Sequence, residues 1–452
     1  MANDADRRSF ITLVRGSPNP FLLPAELIRA AANAVLSDPL VAHDGLLYGP
    51  DPGHEPCREA VAKWLTDSHR LDSHIGPERI CITGGASQNL GNVLNVYSDP
   101  GYTRAIWIVV PAYMLVFRIF EDAGFHEKMR AVPEDEEGLD IEYLRREIRK
   151  SEDKAQAQGN NTPHFKPQRE RAKVYKHLLY CVPSFSNPSS RTMSLRRRRE
   201  LVQLAREFDM LIACDDVYDM LQWPAKSDER HAVVMETQLE ATSAAHLPRL
   251  VDIDRHLDGG AERVDADGFG NVISNGTFSK IAGPGLRVGW SEGTRKLTYG
   301  LSQAGVQRSG GAPSQLTSTY VARMVSSGQV QDHIVNVLRP AYASRYRVLQ
   351  QAIKSHLFPL GFTAPQSNRD VVGGYFVWLG LPARLKAKDL SVRCQEGENV
   401  MIAPGNIFQI PGDDVAKFDG NVRLCFSWEE EWKLTEGIRR VGVVAKKMLD
   451  GC

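Results

Sequence analysis

The chain has 452 residues, with 55 Lys plus Arg against 55 Asp plus Glu, and 42% of its residues are hydrophobic. That length exceeds one simple core and predicts two domains, and the even charge argues against nucleic acid or an anionic membrane as the main partner. No apolar run approaches the ~20 residues needed to span a bilayer, and the first residues lack the apolar core of a secretory signal. Seven cysteines, odd in number and without a Cys-x-x-Cys pair, make a disulfide framework or zinc site unexpected. A reducing, cytoplasmic location follows as the expectation.

In chain order, strands are predicted at Arg79–Thr83, Ala105–Val110, His177–Val182, Leu211–Asp215, Arg249–Asp252, Val272–Asn275 and Val288–Ser291. Several are apolar throughout (IWIVV, LLYCV, LIACD), as in strands buried on both faces of a mostly parallel sheet. Helical patterns fall between them at Leu90–Tyr97, Tyr113–Ala123, Leu139–Lys150 and Leu195–Phe208. The alternation predicts a doubly wound α/β domain with ligands at the carboxyl ends of its strands. A long helix over Gln331–Leu357, kinked at Pro340, strands Gly374–Leu379 and Asn421–Phe426, and a closing helix Trp432–Met448 predict a smaller α/β domain. The expected division is 1–47 packing with the small domain, 48–325 as the large domain and 326–452 as the small one. Ser151–Lys173, Ala225–His246 and Asp254–Gly270 read as surface insertions. The run Arg196–Arg199 reads as a solvated helix face.

Lys280 lies between two predicted strands, with Thr277 and Ser279 just before it and Arg287 seven residues after. Its amine can form an imine with an aldehyde, while the hydroxyls and guanidinium can hold a nearby phosphate. Gly84-Gly85-Ala86-Ser87-Gln88 joins a strand to a helix, where small residues and open N–H groups suit a phosphate. Asp215 ends the apolar strand LIACD, and a carboxylate there needs a partner. Arg423 lies within an apolar strand, where its planar fork fits a carboxylate.

The segment Gly276–Trp290 resembles the cofactor-lysine motif of the class I/II aminotransferases, the fold type I enzymes dependent on pyridoxal 5'-phosphate (PLP). The gap from Lys280 to Arg287 through Pro-Gly-Leu is most similar to the branch holding 2-aminoadipate and kynurenine aminotransferases. The resemblance extends from about Gly16 to Phe426. It implies that Lys280 carries the cofactor and then serves as general base, and that Asp215 pairs with the pyridine nitrogen. It also implies that Tyr218 and Asn187 donate to the phenolic oxygen, and that Tyr113 stacks on the ring. Gly85, Ala86, Ser87, Thr277, Ser279 and Arg287 become phosphate ligands. Arg423 grips the substrate α-carboxylate, with Asn187 and Gly16 beside it. Tyr48 matches a tyrosine that reaches the neighbouring subunit's phosphate, which implies a homodimer with shared sites. Two features depart from the family pattern: Ser189-Ser190 replaces Thr-Gly after Asn187-Pro188, and Ala86 stands where serine is usual.

The expected reaction is transfer of an amino group between an L-amino acid and a 2-oxo acid. A C–S lyase or β-eliminase on the same fold is the alternative, because both reactions share the steps up to Cα deprotonation. A regulator retaining the fold without catalysis is a second alternative. The motifs do not name the amino acid; Arg15 and Arg308 are two of several arginines that could meet a second carboxylate.

Overall fold

The computed structural model describes residues 9–225, 232–311, 313–365 and 370–451. Seven strands form the main sheet: β1 (Ile80–Thr83), β2 (Ala105–Val110), β3 (Met129–Pro133), β4 (His177–Cys181), β5 (Met210–Asp215), β6 (Val272–Thr277) and β7 (Gly289–Glu292). Their spatial order is β1-β7-β6-β5-β4-β2-β3. β7 is antiparallel to both neighbours, β1 and β6, while the pairings from β6 across to β3 are parallel. β2 and β4 are buried along their whole length, as their unbroken apolar runs require. Helices Ala86–Tyr97, Val116–Asp122 and Arg295–Ser302 pack on one face of the sheet; Ile141–Ala157, Leu195–Glu207 and Leu250–His256 pack on the other.

The C-terminal strands β8 (Phe376–Gly380), β9 (Ala403–Pro404) and β10 (Asn421–Cys425) form an antiparallel sheet in the order β8-β10-β9, and the helix Glu431–Leu449 closes the chain. The N-terminal segment joins this region. Ile11 and Thr12 pair in parallel with Val400 and Met401, and Cys425 N donates to Leu13 O at 2.8 Å.

Several sequence expectations change. Arg249–Asp252, expected as a strand, opens the helix Leu250–His256. Its apolar run is too short for periodicity to decide, and Asp252 Oδ2 accepts from Arg249 N at 2.9 Å, closing the first turn. β3 was not expected; it is a short edge strand with one exposed position in its middle. The expected long helix is divided into Gln329–His333, a wide turn Ile334–Leu338, and Arg339–His356. Pro340 enters at the second position of the last piece; lacking an N–H, it cannot continue the regular bonding, and the wide turn precedes it. The insertion expected at Ser151–Lys173 begins as the last two turns of the helix Ile141–Ala157. Of Ala225–His246, residues 226–231 lie outside the described residues; the remainder includes the helix Ala232–Glu240.

The arginine run is only partly a solvated face. Arg198 is 2% exposed, and its guanidinium donates to the carbonyls of Met193, Pro183 and Pro248 and to Ser184 Oγ. Arg197 is also buried, against Leu139 O and Asp135. Both tie loops to the helix Leu195–Glu207.

Candidate active site

The site forms at one edge of the main sheet. Asp215 ends β5, Thr277 ends β6, Gly84 follows β1, and Tyr113 and Asn187 follow β2 and β4. Because β7 is antiparallel, its first residue, Gly289, lies at this same edge, opposite both Thr83 and Thr277.

Lys280 lies just beyond β6 in a short turn, where Thr277 Oγ1 accepts from Ser279 N at 3.1 Å and donates to Ser279 Oγ at 2.9 Å. Lys280 Nζ donates to Gly16 O at 3.0 Å, and Tyr375 Oη donates to Lys280 O at 3.0 Å. Burial holds the Lys280 ammonium below the ordinary lysine value, with Asp215 partly opposing it. Gly16 must be glycine here, because a Cβ would stand 2.6 Å from Phe376 Cζ.

Asp215 accepts one hydrogen bond, from Tyr180 Oη to Oδ2 at 2.7 Å. Its other oxygen, Oδ1, is buried and has no partner. Burial pushes the carboxyl up to about 6; the Tyr180 bond opposes the shift and Asp216 adds to it. Tyr218 is 3% exposed, and burial holds its phenol well above the ordinary value, so it stays protonated and can donate. Tyr113 sits half-buried in the turn before its helix, which begins at Val116 rather than at Tyr113. Burial and then Asp215 raise its phenol.

Arg423 is 2% exposed. Its guanidinium donates to Asn187 Oδ1 at 2.8 Å and Val14 O at 2.6 Å, and Nε is buried without a partner. Phe376 lies 4.1 Å beneath it. Among the described residues no carboxylate forms an ion pair with it. A buried cation supported by neutral groups alone is costly, so the fork is arranged for an anion that arrives from outside.

Gly85 has φ 100 and ψ 168, a conformation open essentially to glycine, and precedes the helix Ala86–Tyr97, whose first turn has no side-chain cap. Ala86 and Ser87 are the first two residues of that helix. Arg287 reaches this turn, bonding to Gly84 O and, at 3.1 Å, to Pro284 O. A Cβ on Gly85 would meet Arg287 Nη2 at 2.7 Å. Tyr48 lies apart from these groups and is 88% exposed, packing beside Gly310.

The sequence reading missed several supports. Asn275 Nδ2 donates to Ala86 O at 2.9 Å, and Asn89 Nδ2 donates to Asn275 Oδ1 at 3.0 Å, fixing the helix Ala86–Tyr97 to β6. An asparagine within the apolar run VISNGT, like Tyr180 within LLYC, was the available signal, since a buried polar group needs a partner. The two arginines considered for a second carboxylate are engaged otherwise: Arg15 stacks 3.7 Å over Trp428, and Arg308 turns toward Gln303 and Asp51.

Taken as chemistry, the edge offers a buried amine, an acceptor oxygen for a ring N–H, a neutral phenol donor, a glycine turn with a guanidinium, and an unmatched carboxylate fork. That set defines a site for an aromatic aldehyde cofactor bearing a phosphate, working on a carboxylate substrate. The family model for aminotransferase class I and II matches residues 18–441, and the chain belongs to that family. It is 35% identical over 453 residues to an uncharacterized protein of Saccharomyces cerevisiae, with 96% of this chain and 97% of the relative covered. It is 27% identical to the 2-aminoadipate transaminase of Thermus thermophilus, covering 98% of this chain and 92% of the relative. The structure of Pyrococcus horikoshii kynurenine aminotransferase, in complex with PMP, superposes with a TM-score of 0.75 at 26% identity over 98% of this chain and 92% of that one. The fold is therefore fold type I and the cofactor is pyridoxal 5'-phosphate, which the orphaned Asp215 Oδ1 and the glycine turn at Gly85 fit. The protein is an enzyme of amino-group transfer between an amino acid and a 2-oxo acid, and nothing found favours the lyase. No helix among the described residues is long and apolar enough to cross a membrane.

Proposed function

We propose that transamination by this chain runs on Lys280, Asp215, Tyr218, Asn187 and Arg423. Two buried, unpartnered atoms on the charged groups flanking Lys280, Asp215 Oδ1 and Arg423 Nε, carry the reading. When bound, PLP supplies an electron sink that makes the Cα–H of an attached amino acid acidic. Asp215 Oδ1, buried without a partner, would accept from the cofactor's pyridine N–H and favour its charged form. Its raised value in the cofactor-free protein falls back when this cationic partner arrives. The Tyr218 hydroxyl would donate its proton to the cofactor's phenolic oxygen, and the Asn187 amide N–H would join it. The Arg423 fork holds the α-carboxylate and so fixes the direction of the Cα–H bond. Lys280, whose burial favours the neutral amine, would take that proton from Cα and give it back to the cofactor's aldehyde carbon, two atoms away. Gly85, Ala86 and Ser87 offer N–H groups to the phosphate, and Thr277, Ser279 and Arg287 complete the cradle.

Tyr48, exposed in the single chain, serves the phosphate of a second copy in a homodimer. Residues 48–325 form the large domain and 326–452 the small one; of 1–47, the strand at Ile11 joins the small domain by pairing with Val400, while the helices Ala25–Leu36 and Pro39–Leu46 pack on Gln315–Ser326. The six cysteines among the described residues are all free thiols, which supports a reducing, cytoplasmic setting.

Lys280→Ala tests the centre of the assignment. The variant is expected to fold and hold PLP non-covalently, with no cofactor attached after borohydride reduction and no 2-oxo acid formed. Normal turnover by this variant would overturn it.

A further inference from the structure

The insertion after the helix Ile141–Ala157 is pinned down at one end. Lys166 Nζ donates to Leu94 O at 2.9 Å, to Asn95 O at 2.7 Å and to Ser98 O, capping the C-terminus of the helix Ala86–Tyr97. Asp99 Oδ2 accepts from Phe165 N and Lys166 N at 2.7 and 2.8 Å. Held this way, the segment forms one side of a half-open cavity of about 560 Å³ against the helix Arg295–Ser302 and the residues that follow it. That volume suits a metabolite-sized ligand.

The charge around the cavity is unbalanced. Lys166, Arg169, Arg171 and Arg308 line it, and Glu170 is the acid among the lining residues. Arg171 Nη1 and Arg308 Nη1 both donate to one neutral oxygen, Gln303 Oε1, at 2.8 and 3.0 Å. Asp51 stands behind them, 3.8 Å from Arg308 Nε, and already accepts from Gln303 Nε2 at 2.9 Å. Two guanidinium groups drawn to one uncharged acceptor repel each other, and an anion between them removes that repulsion while accepting from both. Val96, Pro167, Val174 and Ala304 supply an apolar floor. None of the residues assigned above to cofactor or substrate lines this cavity.

We propose that this cavity is a second ligand site, separate from Lys280, for a small molecule carrying two or more carboxylate or phosphate oxygens. The insertion exists to form its wall.

Calorimetric titration of the holoenzyme tests this, using pyrophosphate and tricarballylate at matched ionic strength with sodium chloride as the blank. Tricarballylate has no amino or oxo group and cannot enter amino-group transfer. One equivalent per chain is expected for at least one probe. Arg171→Gln and Arg169→Gln should each weaken it by at least about tenfold. Both should leave the cofactor spectrum, the melting temperature and turnover unchanged. Binding of pyrophosphate alone identifies a phosphate ligand, and binding of tricarballylate identifies a polycarboxylate. Heat no greater than the chloride blank for both probes overturns the proposal, as does wild-type affinity in both variants. Because turnover is measured alongside, failure here is distinguishable from failure of the assignment at Lys280.

Discussion

Arg423→Met separates the grip on the substrate from the stability of the fold. In the proposed role the fork would make two charge-assisted hydrogen bonds to a carboxylate, each worth roughly 1.5–3 kcal/mol. Losing both removes about 3–6 kcal/mol of transition-state binding, or roughly 10²- to 10⁴-fold in kcat/KM. Stability behaves differently. Methionine leaves Asn187 Oδ1 and Val14 O without their donor, at a cost of about 1–3 kcal/mol each. It also removes a buried cation that has no carboxylate beside it, which relieves several kcal/mol of desolvation. These effects nearly cancel, so the melting temperature should stay close to wild type. The assay is stopped-flow absorbance of the cofactor with an L-amino acid and with the matching amine that lacks the carboxylate. The amino-acid rate is expected to collapse and the amine rate to hold. Equal losses for both substrates would refute the carboxylate role and leave Arg423 a support for Asn187 alone.

Asp215→Asn should give opposite effects on fold and function. Burial raises the folded-state pKa of Asp215 to about 6, above the unfolded value of roughly 3.9. Its contribution to folding is therefore full below the unfolded value and is lost as pH rises through about 6. Asparagine never ionises, so the cofactor-free variant should be up to about 3 kcal/mol more stable above that pH, while transamination is lost; thermal unfolding across pH 4–8 checks the sign, and a destabilised variant at pH 8 contradicts it. Gly85→Ala places a side chain where φ is 100 and should cost about 1–3 kcal/mol, read as a titration of cofactor into cofactor-free protein weakened by roughly 5- to 150-fold. Unchanged affinity would mean that the turn does not hold the phosphate. Mixing Tyr48→Ala with Lys280→Ala chains should restore part of the activity, because one of the two shared sites then has both residues intact; no recovery in verified mixed dimers excludes sharing.

What could be read from the sequence was whatever depends on local pattern. The buried strands Ala105–Val110 and His177–Cys181 were visible because a strand covered on both faces shows as an unbroken apolar run. The residues now gathered at the sheet edge were legible because strand ends are fixed by the chain itself, and β5 and β6 deliver Asp215 and Thr277 whatever the loops do. What failed depended on partners distant in sequence. Arg197 and Arg198 are indistinguishable from solvated arginines until the carbonyls of Leu139, Pro183 and Pro248 are brought to them. Leu250–His256 is helical because Arg249 is held by Asp252 and by Glu292 on β7, and the second of these lies 43 residues away. Tyr180 donates to Asp215 from the neighbouring strand, a relation set by the parallel register of β4 and β5.

The strip Val14–Gly16 also bears on how the enzyme is made. Its carbonyls accept from Arg423, Cys425 and Lys280, so groups from the two ends of the chain meet across its middle. During synthesis the seven main strands are complete once residue 292 has left the ribosome, while the guanidinium that faces Lys280 has yet to be made. The first residues must wait for β10, 409 positions later in the case of Val14 and Arg423. Closing contacts this distant in sequence is slow, so this junction depends on both ends of the chain being present. A nascent chain can thus acquire its main sheet before this junction, and premature termination before Arg423 would leave Lys280 in place with Val14 O lacking its donor.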